Sequence, residues 1–244
     1  QIATVGFNLK NKGLIEDVKV TGSVTGNNDV AGIVNKIDED GKIENVAFVG
    51  KIDSVGNNST VGGIAGSNYM GFVNRAYVDA TITAQNANAS MLVPFVTYML
   101  NSWKSGTKAK VTNSVAKGVL DVKNTRNVGG IVAKTWPYGA VQDNVTYAKV
   151  IKGQEIFASN DVNDEDGGPH IKDLFGVVGY SSAEDGTGKD TKSPKKLKHL
   201  TKEEADKRVE GYKITADTFV SEPYALNTLN NVSSQAEFCQ YSRL

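Results

Sequence analysis

The histidine and cysteine residues of this chain are too few and too widely spaced to build a metal site or an activated nucleophile. His170 and His199 are the two histidines, and Cys239 is the single cysteine. A zinc peptidase of the HExxH type needs two imidazoles on one helical face with a glutamate base between them, and neither PHIKD nor KHLTK has that spacing. The sequence therefore predicts no zinc site and no disulfide framework within this segment.

An acidic stretch, DVNDEDGG at 161–168, carries the oxygen ligands that calcium prefers. Its spacing resembles the start of an EF-hand loop. However, the glycine comes one position late, and Lys172 stands where the bidentate glutamate belongs. A solvated acidic loop is the favoured interpretation.

Two glutamates, Glu16 and Glu44, occupy equivalent positions in IEDVKV and IENVAF. Paired carboxylates on neighbouring coils could act as an acid and a base, as in β-helix enzymes that cleave polysaccharides. A polar column adjoins them and consists of Asp17, Asn45, Arg75, Asn113 and Asp143. Because this column changes sign along its length and no basic cluster converges on the acids, surface turn polarity is favoured. A carbohydrate-active β-helix remains an alternative.

The elements that position these residues are copies of one repeat. The glycine motif VGGIAG at 61–66 returns as VAGIV at 30–34 and as VGGIVA at 128–133. A phosphate-binding loop is used once, so recurrence favours a structural repeat. The segments that align before or between these motifs, at intervals of 28 to 38 residues, are IEDVKVTGSV, IENVAFVGKI, VNRAYVDATI, VTNSVAKGVL and VQDNVTYAKV.

The aligned copies share three columns of side chains. Branched aliphatic residues begin each copy, at Ile15, Ile43, Val73, Val111 and Val141, and end it, at Val24, Ile52, Ile82, Leu120 and Val150. Small residues stand two positions before the end, where a narrow interior is expected, at Gly22, Gly50, Ala80, Gly118 and Ala148. Alternation between the columns has the period of a half-buried strand.

One such copy cannot bury its apolar face alone, whereas stacked copies give each column a continuous ladder. The sequence therefore predicts a mainly β fold, a parallel β-solenoid in the form of a right-handed β-helix of about five coils. A β-sandwich or barrel with antiparallel neighbours is the competing arrangement. The scarcity of tight two-residue hairpin signals argues against it.

Three regions follow from the composition. Residues 1–180 form the predicted solenoid, 181–200 form a Lys-rich linker, and 201–244 form a mainly helical or irregular extension that leads to a following domain. Thr201 with Glu204 makes a capping box. It predicts a helix from about 202 to 210 that stops at Gly211.

Two insertions interrupt the repeat and contain the candidate partner contacts. The third copy carries MLVPFVTYMLNSWK, with Tyr98 and Trp103, and the fifth copy carries Asp161, Asp164 and Asp166. Insertions leave a solenoid as loops on one face, where binding often occurs. The aromatic segment either exposes a patch for a partner or packs on the solenoid flank, and packing is favoured.

The charge balance excludes two classes of partner. Lys plus Arg and Asp plus Glu each total 27, so no global field attracts nucleic acid or an anionic membrane. The longest apolar run, 91–100, is about half a membrane span and contains a proline, so membrane insertion is not expected.

The chain opens with QIATVGF, without methionine or a signal peptide, and is expected to be a piece of a larger protein.

The repeat resembles the so-called GLUG repeat of Gram-positive surface proteins. The matching segments are GKIENVAFVGKI at 41–52 with VGGIAG, and AKVTNSVAKGVLDV at 109–122 with VGGIVA. The tail LTKEEADKRVEGYKITADTFVSEPYALNTLNN at 200–231 is similar to the segment that follows these repeats in streptococcal-type immunoglobulin A specific zinc metalloproteases. Repeat and tail together point to that family.

The resemblance implies a secreted, wall-attached zinc endopeptidase that cleaves host immunoglobulin A. Zinc is then a cofactor of the parent enzyme, and the expected partners are the catalytic domain of the same chain and immunoglobulin A. No metal ligand of the family can be placed on this sequence, so a scaffold and docking role is expected here. A surface adhesin solenoid whose parent has no protease is the alternative.

Overall fold

The fold is a stack of parallel coils whose strands line up in two sheets. The computed structural model describes residues 2–96, 109–135, 140–152, 157–160, 179–181 and 197–216. Its strands are β1 (Gly6–Leu9), β2 (Leu14–Gly26), β3 (Val30–Ala31), β4 (Val34–Ile37), β5 (Lys42–Gly62), β6 (Ala65–Asn68), β7 (Phe72–Ser90), β8 (Phe95–Val96), β9 (Lys110–Thr112), β10 (Val115–Gly129), β11 (Val132–Thr135), β12 (Ala140–Gln142), β13 (Asn144–Thr146), β14 (Lys149–Val150), β15 (Phe157–Asn160), β16 (Gly179–Ser181) and β17 (Leu197–His199). The helix α1 (Lys202–Tyr212) follows them.

The two sheets run the length of the stack. The six-stranded sheet has the order β1-β4-β6-β8-β11-β15, and the other eleven strands form the second sheet. Every strand pair within them is parallel. The predicted parallel β-solenoid is therefore confirmed, and the antiparallel sandwich or barrel is excluded. Its right-handed sense stays a prediction.

About four turns are formed, compared with the five coils predicted. The fifth copy contributes the short strands β12, β13 and β14. The closing motif expected for that copy, LFGVVG at 174–179, lies almost wholly outside the described residues.

Strand register reproduces the sequence columns. Ile15 pairs with Ile43, which pairs with Val73, and the ladder continues to Val111 and Val141. The second aliphatic column does the same from Val24 through Ile52, Ile82 and Leu120 to Val150. Nearly all of these side chains are buried in one continuous core. Identical columns therefore fix the register, because a slip of one residue would turn the aliphatic side chains to the outside.

The small column is explained by the backbone more than by a narrow interior. Gly22, Gly50 and Gly118 have φ values of 136°, 152° and 103°. A Cβ on Gly50 would lie 1.8 Å from the carbonyl oxygen of Gly22 in the preceding coil. Glycine is needed there because its φ is positive and the carbonyl of the preceding coil lies where a Cβ would be. Ala80 and Ala148 are instead buried residues with ordinary φ.

The third copy replaces the glycine motif with apolar side chains. The backbone carbonyls of Met91 and Leu92 accept hydrogen bonds from the N–H groups of Gly63 and Ile64, each at 3.0 Å. Met91 and Leu92 are fully buried. The described beginning of this insertion thus belongs to the core, while residues 97–108 lie outside the described part.

The end of the described chain returns along the stack. Strand β17 pairs in parallel with β16, so the eleven-stranded sheet includes residues 197–199. The capping box of Thr201 and Glu204 is confirmed, and α1 begins directly after Thr201. The helix ends at Tyr212, just beyond the predicted stop at Gly211, with Lys213 as a left-handed C-cap at φ 54°. No helix in the described ranges is long and apolar enough to cross a membrane.

Candidate functional site

The polar column next to the two glutamates forms a ladder of left-handed corners. Its members, called the corner ladder from here on, are Asp17, Asn45, Arg75, Asn113 and Asp143, with φ between 49° and 57°. Asn and Asp tolerate this conformation better than other residues with a side chain. Each coil therefore bends at the same place, and the interpretation as turn polarity is extended to a structural role.

Arg75 is the exception in the corner ladder, and its contacts explain it. Its Nη1 lies 3.2 Å from a carboxylate oxygen of Glu44. Its Nε donates to the carbonyl of Tyr212 at 3.1 Å, and its Nη2 donates to the carbonyl of Lys213. The guanidinium thus binds the C-terminal end of α1, where the helix dipole favours a positive charge.

The glutamate pair lies in a shallow groove of about 340 Å³ lined by Leu14, Glu16, Lys42, Ile43, Glu44 and Phe72. Glu16 and Glu44 are paired in register on neighbouring coils, as predicted. Asn74 Nδ2 donates to both oxygens of Glu44, at 3.1 and 3.0 Å, and Arg75 binds one of them. Glu44 is therefore engaged in holding the ladder together.

The segment 200–216, here called the strap, packs along the corner ladder. At the fifth copy, Ala205 is buried against Val145, with Tyr147, Leu200, Val209 and Tyr212 around them. The hydroxyl of Tyr147 donates to Asp206 Oδ1 at 2.7 Å, and the hydroxyl of Tyr212 donates to the carbonyl of Asp143. Arg208 Nη1 lies 3.9 Å from Asp143 Oδ1.

The far end of the strap reaches the second coil. Asn45 Oδ1 accepts hydrogen bonds from the N–H groups of Thr215, at 2.8 Å, and Ala216, at 3.1 Å. Asn45 Nδ2 donates to Thr215 Oγ1 at 2.7 Å and to Asp17 Oδ1 at 2.5 Å. Since the strap binds the fifth copy, then the third, then the second, it runs opposite to the direction of stacking.

Two ionisable groups in the strap contact have shifted pKa values. Burial, followed by the hydrogen bond to Asp206, raises the pKa of Tyr147 well above its usual value. The hydrogen bond from Tyr147, followed by that from Lys202, lowers the pKa of Asp206. Both shifts favour the neutral phenol bound to the ionised carboxylate.

Zinc does not fit the residues that the structure describes. No group of three or more His, Cys, Asp or Glu side chains within them could hold a metal ion. His199 lies in β17, whereas His170 and Cys239 are outside the described residues. No residue in the described part of the chain is therefore assigned a role in binding zinc.

The predicted partner contacts are not among the described residues. Tyr98 and Trp103 fall in 97–108, and Asp161, Asp164 and Asp166 fall in 161–178. They stay predictions. The strap contact, in contrast, was missed by sequence reasoning. The sequence feature that could have indicated this contact is the repeated Asn or Asp at the corner position. Such a residue indicates a left-handed turn with an amide or carboxylate available for hydrogen bonding.

No protein-family model matches the chain, and no solved structure matches it. The GLUG assignment thus stays a prediction. The chain is 47% identical over 244 residues to the zinc metalloprotease ZmpB of Streptococcus pneumoniae serotype 4. The aligned region covers 99% of this chain and 13% of ZmpB. It is 32% identical over 154 residues to the zinc metalloprotease ZmpC of the same organism. This aligned region covers 60% of this chain and 8% of ZmpC.

The chain thus spans only a small part of the length of these curated relatives. The similarity to ZmpB nevertheless extends over almost the whole sequence, including both the repeat and the strap. The chain is therefore homologous, over almost its whole length, to one part of the zinc metalloprotease ZmpB, and over a shorter stretch to one part of ZmpC.

Proposed function

We propose that this segment is a non-catalytic scaffold and substrate-docking module of a secreted, cell-surface zinc metalloendopeptidase that cleaves host immunoglobulin A. The observation that carries the proposal is the 47% identity over 99% of the chain with a zinc metalloprotease. In this proposal the catalytic zinc lies in another part of the parent chain, and within the described residues no group of His, Cys, Asp or Glu side chains could hold a metal ion.

The scaffold role is supported by the way the strap is held. Its contacts with Asn45, Arg75 and Tyr147 lie on three different coils of a continuous core. A segment bound at several rigid points leaves the stack in a defined direction. The solenoid would in this way orient the domain that follows it, and zinc-dependent peptide cleavage would occur there.

The docking role is assigned to the two insertions. The third-copy insertion, with Tyr98 and Trp103, connects β8 to β9. The acidic segment with Asp161, Asp164 and Asp166 follows β15. Aromatic side chains are the residues that most often dominate the binding energy of protein interfaces.

The test uses the whole parent protease and human immunoglobulin A. Binding is measured by surface plasmon resonance after removal of zinc with a chelator, and cleavage is measured with zinc on both the intact antibody and a short hinge peptide. Trp103→Ala and Asp164→Ala are compared with Val55→Ala, because Val55 is an exposed apolar residue outside both insertions.

We expect Trp103→Ala to weaken antibody binding about tenfold and to lower cleavage of the antibody, as loss of an interface anchor does. Cleavage of the short peptide should stay unchanged, since the peptide does not reach the insertion. Equal antibody binding by the parent, Trp103→Ala and Asp164→Ala proteins would remove the docking role and leave the scaffold role. Absence of any cleavage of immunoglobulin A by the parent would refute the substrate.

A further inference from the structure

Within the described part of the chain, the outer edge of the first coil is uncovered. β1 pairs with β4 and β2 pairs with β5, and no other described residue pairs with the outer edge of β1 or β2. Apolar side chains are exposed in and beside this coil, namely Ile2 at 41%, Val5 at 44%, Phe7 at 62% and Leu14 at 51%. Long strands with open edges and exposed apolar residues are sites of strand addition.

The sequence of the first coil is that of an interior coil. Its column residues Ile15, Val18 and Val20 pair with residues of the second coil that are almost fully buried, but they are themselves only partly buried. Terminal coils of solenoids are usually atypical and carry a polar outer face. In the first coil these column positions are aliphatic, so among the described residues the ladders end on partly buried apolar side chains.

Gly22 gives a second, independent sign. At Gly50 and Gly118, an added Cβ would lie 1.8 and 2.1 Å from a carbonyl oxygen of the preceding coil. Gly22 also has a positive φ, yet no atom of the described residues lies within 4 Å of the position that its Cβ would take. The backbone of the first coil is therefore shaped to receive the carbonyl of one more coil on its outer side.

We propose that the outer edge of β1 and β2 is the docking surface for one further coil of the same polypeptide, from the segment that precedes residue 1 in the parent protein. That coil adds parallel strands in the same register, with aliphatic residues over Ile15 and Val20 and a carbonyl over Gly22. This inference concerns assembly of the stack and does not depend on the proposed activity.

A second copy of the chain fits the edge less well. A dimer with two-fold symmetry would place one β2 antiparallel to the other. Residues of the aliphatic, corner and glycine columns would then no longer pair with residues of the same column. Parallel stacking pairs like residues throughout the described coils. A preceding coil meets the same requirements as every coil already in the stack.

The experiment measures cysteine reactivity in the whole parent protein. Phe7→Cys and Val55→Cys are made separately in a Cys239→Ser background. Phe7 is 62% and Val55 51% exposed in this structure, but Val55 lies in the second coil, away from the outer edge. Asn35, which occupies the position of Phe7 in the second coil, is only 4% exposed, so one more coil should cover position 7. Maleimide labelling of each site is followed by peptide mass spectrometry. We expect the cysteine at 7 to be labelled about tenfold more slowly than that at 55, and both to be labelled alike in denaturant.

Removal of everything before residue 1 from the parent should restore fast labelling at position 7. Hydrogen exchange on the intact parent is the second measurement, and it should show the amides of β2 as protected as those of β5. Equal labelling of the two cysteines in the native parent refutes the proposal. So does protection at position 7 that survives the truncation or increases with protein concentration, because the occupant is then another segment or a second copy.

Discussion

Asn45 and Thr215 are 170 positions apart in the sequence and are joined by two hydrogen bonds, from Thr215 N–H to Asn45 Oδ1 at 2.8 Å and from Asn45 Nδ2 to Thr215 Oγ1 at 2.7 Å. A third hydrogen bond joins Asn45 to the N–H of Ala216. This pair fastens the end of the strap to the second coil. The solenoid and the strap are thus one structural unit.

Replacement of Asn45 by glycine should loosen the end of the strap without breaking the coil. Glycine accepts the left-handed φ of 52° but removes every side-chain hydrogen bond. We expect the amides of Thr215 and Ala216 to exchange about tenfold faster by hydrogen-exchange mass spectrometry. Asn113→Gly is the matched control, because Asn113 occupies the same corner and its side chain bonds to Asn74. A similar effect in both variants would contradict the strap contact.

Replacement of Arg75 by asparagine should have separate effects on the strap and on the solenoid. Asparagine suits the left-handed corner better than arginine, but it cannot bind the carbonyls of Tyr212 and Lys213. The lost ion pair with Glu44 is partly exposed and contributes about 0.5 kcal/mol. Faster exchange in α1 with a nearly unchanged melting temperature is therefore expected. Cooperative loss of the whole solenoid would show that the strap is part of its core.

The strap should loosen in acid because of Asp206. Its pKa is lowered in the folded protein by the hydrogen bond from Tyr147, so its contribution to strap binding is present above the unfolded pKa of about 4. That contribution is lost as the pH falls through the lower, folded pKa. Exchange in α1, followed from neutral to acidic pH, should increase there, and Asp206→Asn should remove most of this dependence.

Tyr147 should produce the opposite dependence in alkali. Its pKa is raised by burial and by Asp206, so the stabilisation by the neutral phenol is complete below the unfolded pKa of about 10. It is lost as the pH rises toward the higher, folded pKa. Ultraviolet absorbance titration should detect a late phenol ionisation, and Tyr147→Phe should abolish that late step. A titration curve that is the same for the parent and Tyr147→Phe at high pH would contradict the raised pKa of this hydroxyl.

Two glycine substitutions should change the free energy of unfolding in opposite directions. Gly50→Ala forces a side chain onto a φ of 152° and into the Gly22 carbonyl, so the free energy of unfolding should fall by about 3 kcal/mol or more. Gly211→Ala has nothing within 4 Å and lies in α1, so the helix should gain about 0.5–1 kcal/mol. Urea unfolding with a strand signal and a helix signal measures both. Equal tolerance of the two substitutions would be incompatible with the close approach of the coils.

The coil columns were predictable from sequence because each aliphatic residue meets its own equivalent one repeat away. The register from Ile15 to Val141 needs only the spacing of like residues. The strap contact could not be derived in this way, since it joins Asn45 to Thr215 through backbone N–H groups that any residue except proline supplies. The reason for the glycine column also required coordinates, because sequence does not reveal a positive φ at Gly50.

The course of the strap decides how mechanical load passes through the molecule. The described chain begins in the first coil, and the strap ends beside Asn45 in the second, so both ends lie at one end of the stack. A force applied between residues 2 and 216 would therefore first strain the hydrogen bonds of Asn45 and Arg75. The fourth and fifth coils would carry little of that force. The solenoid would behave as a side branch that is peeled from its strap, and not as a rod that is stretched along its own axis.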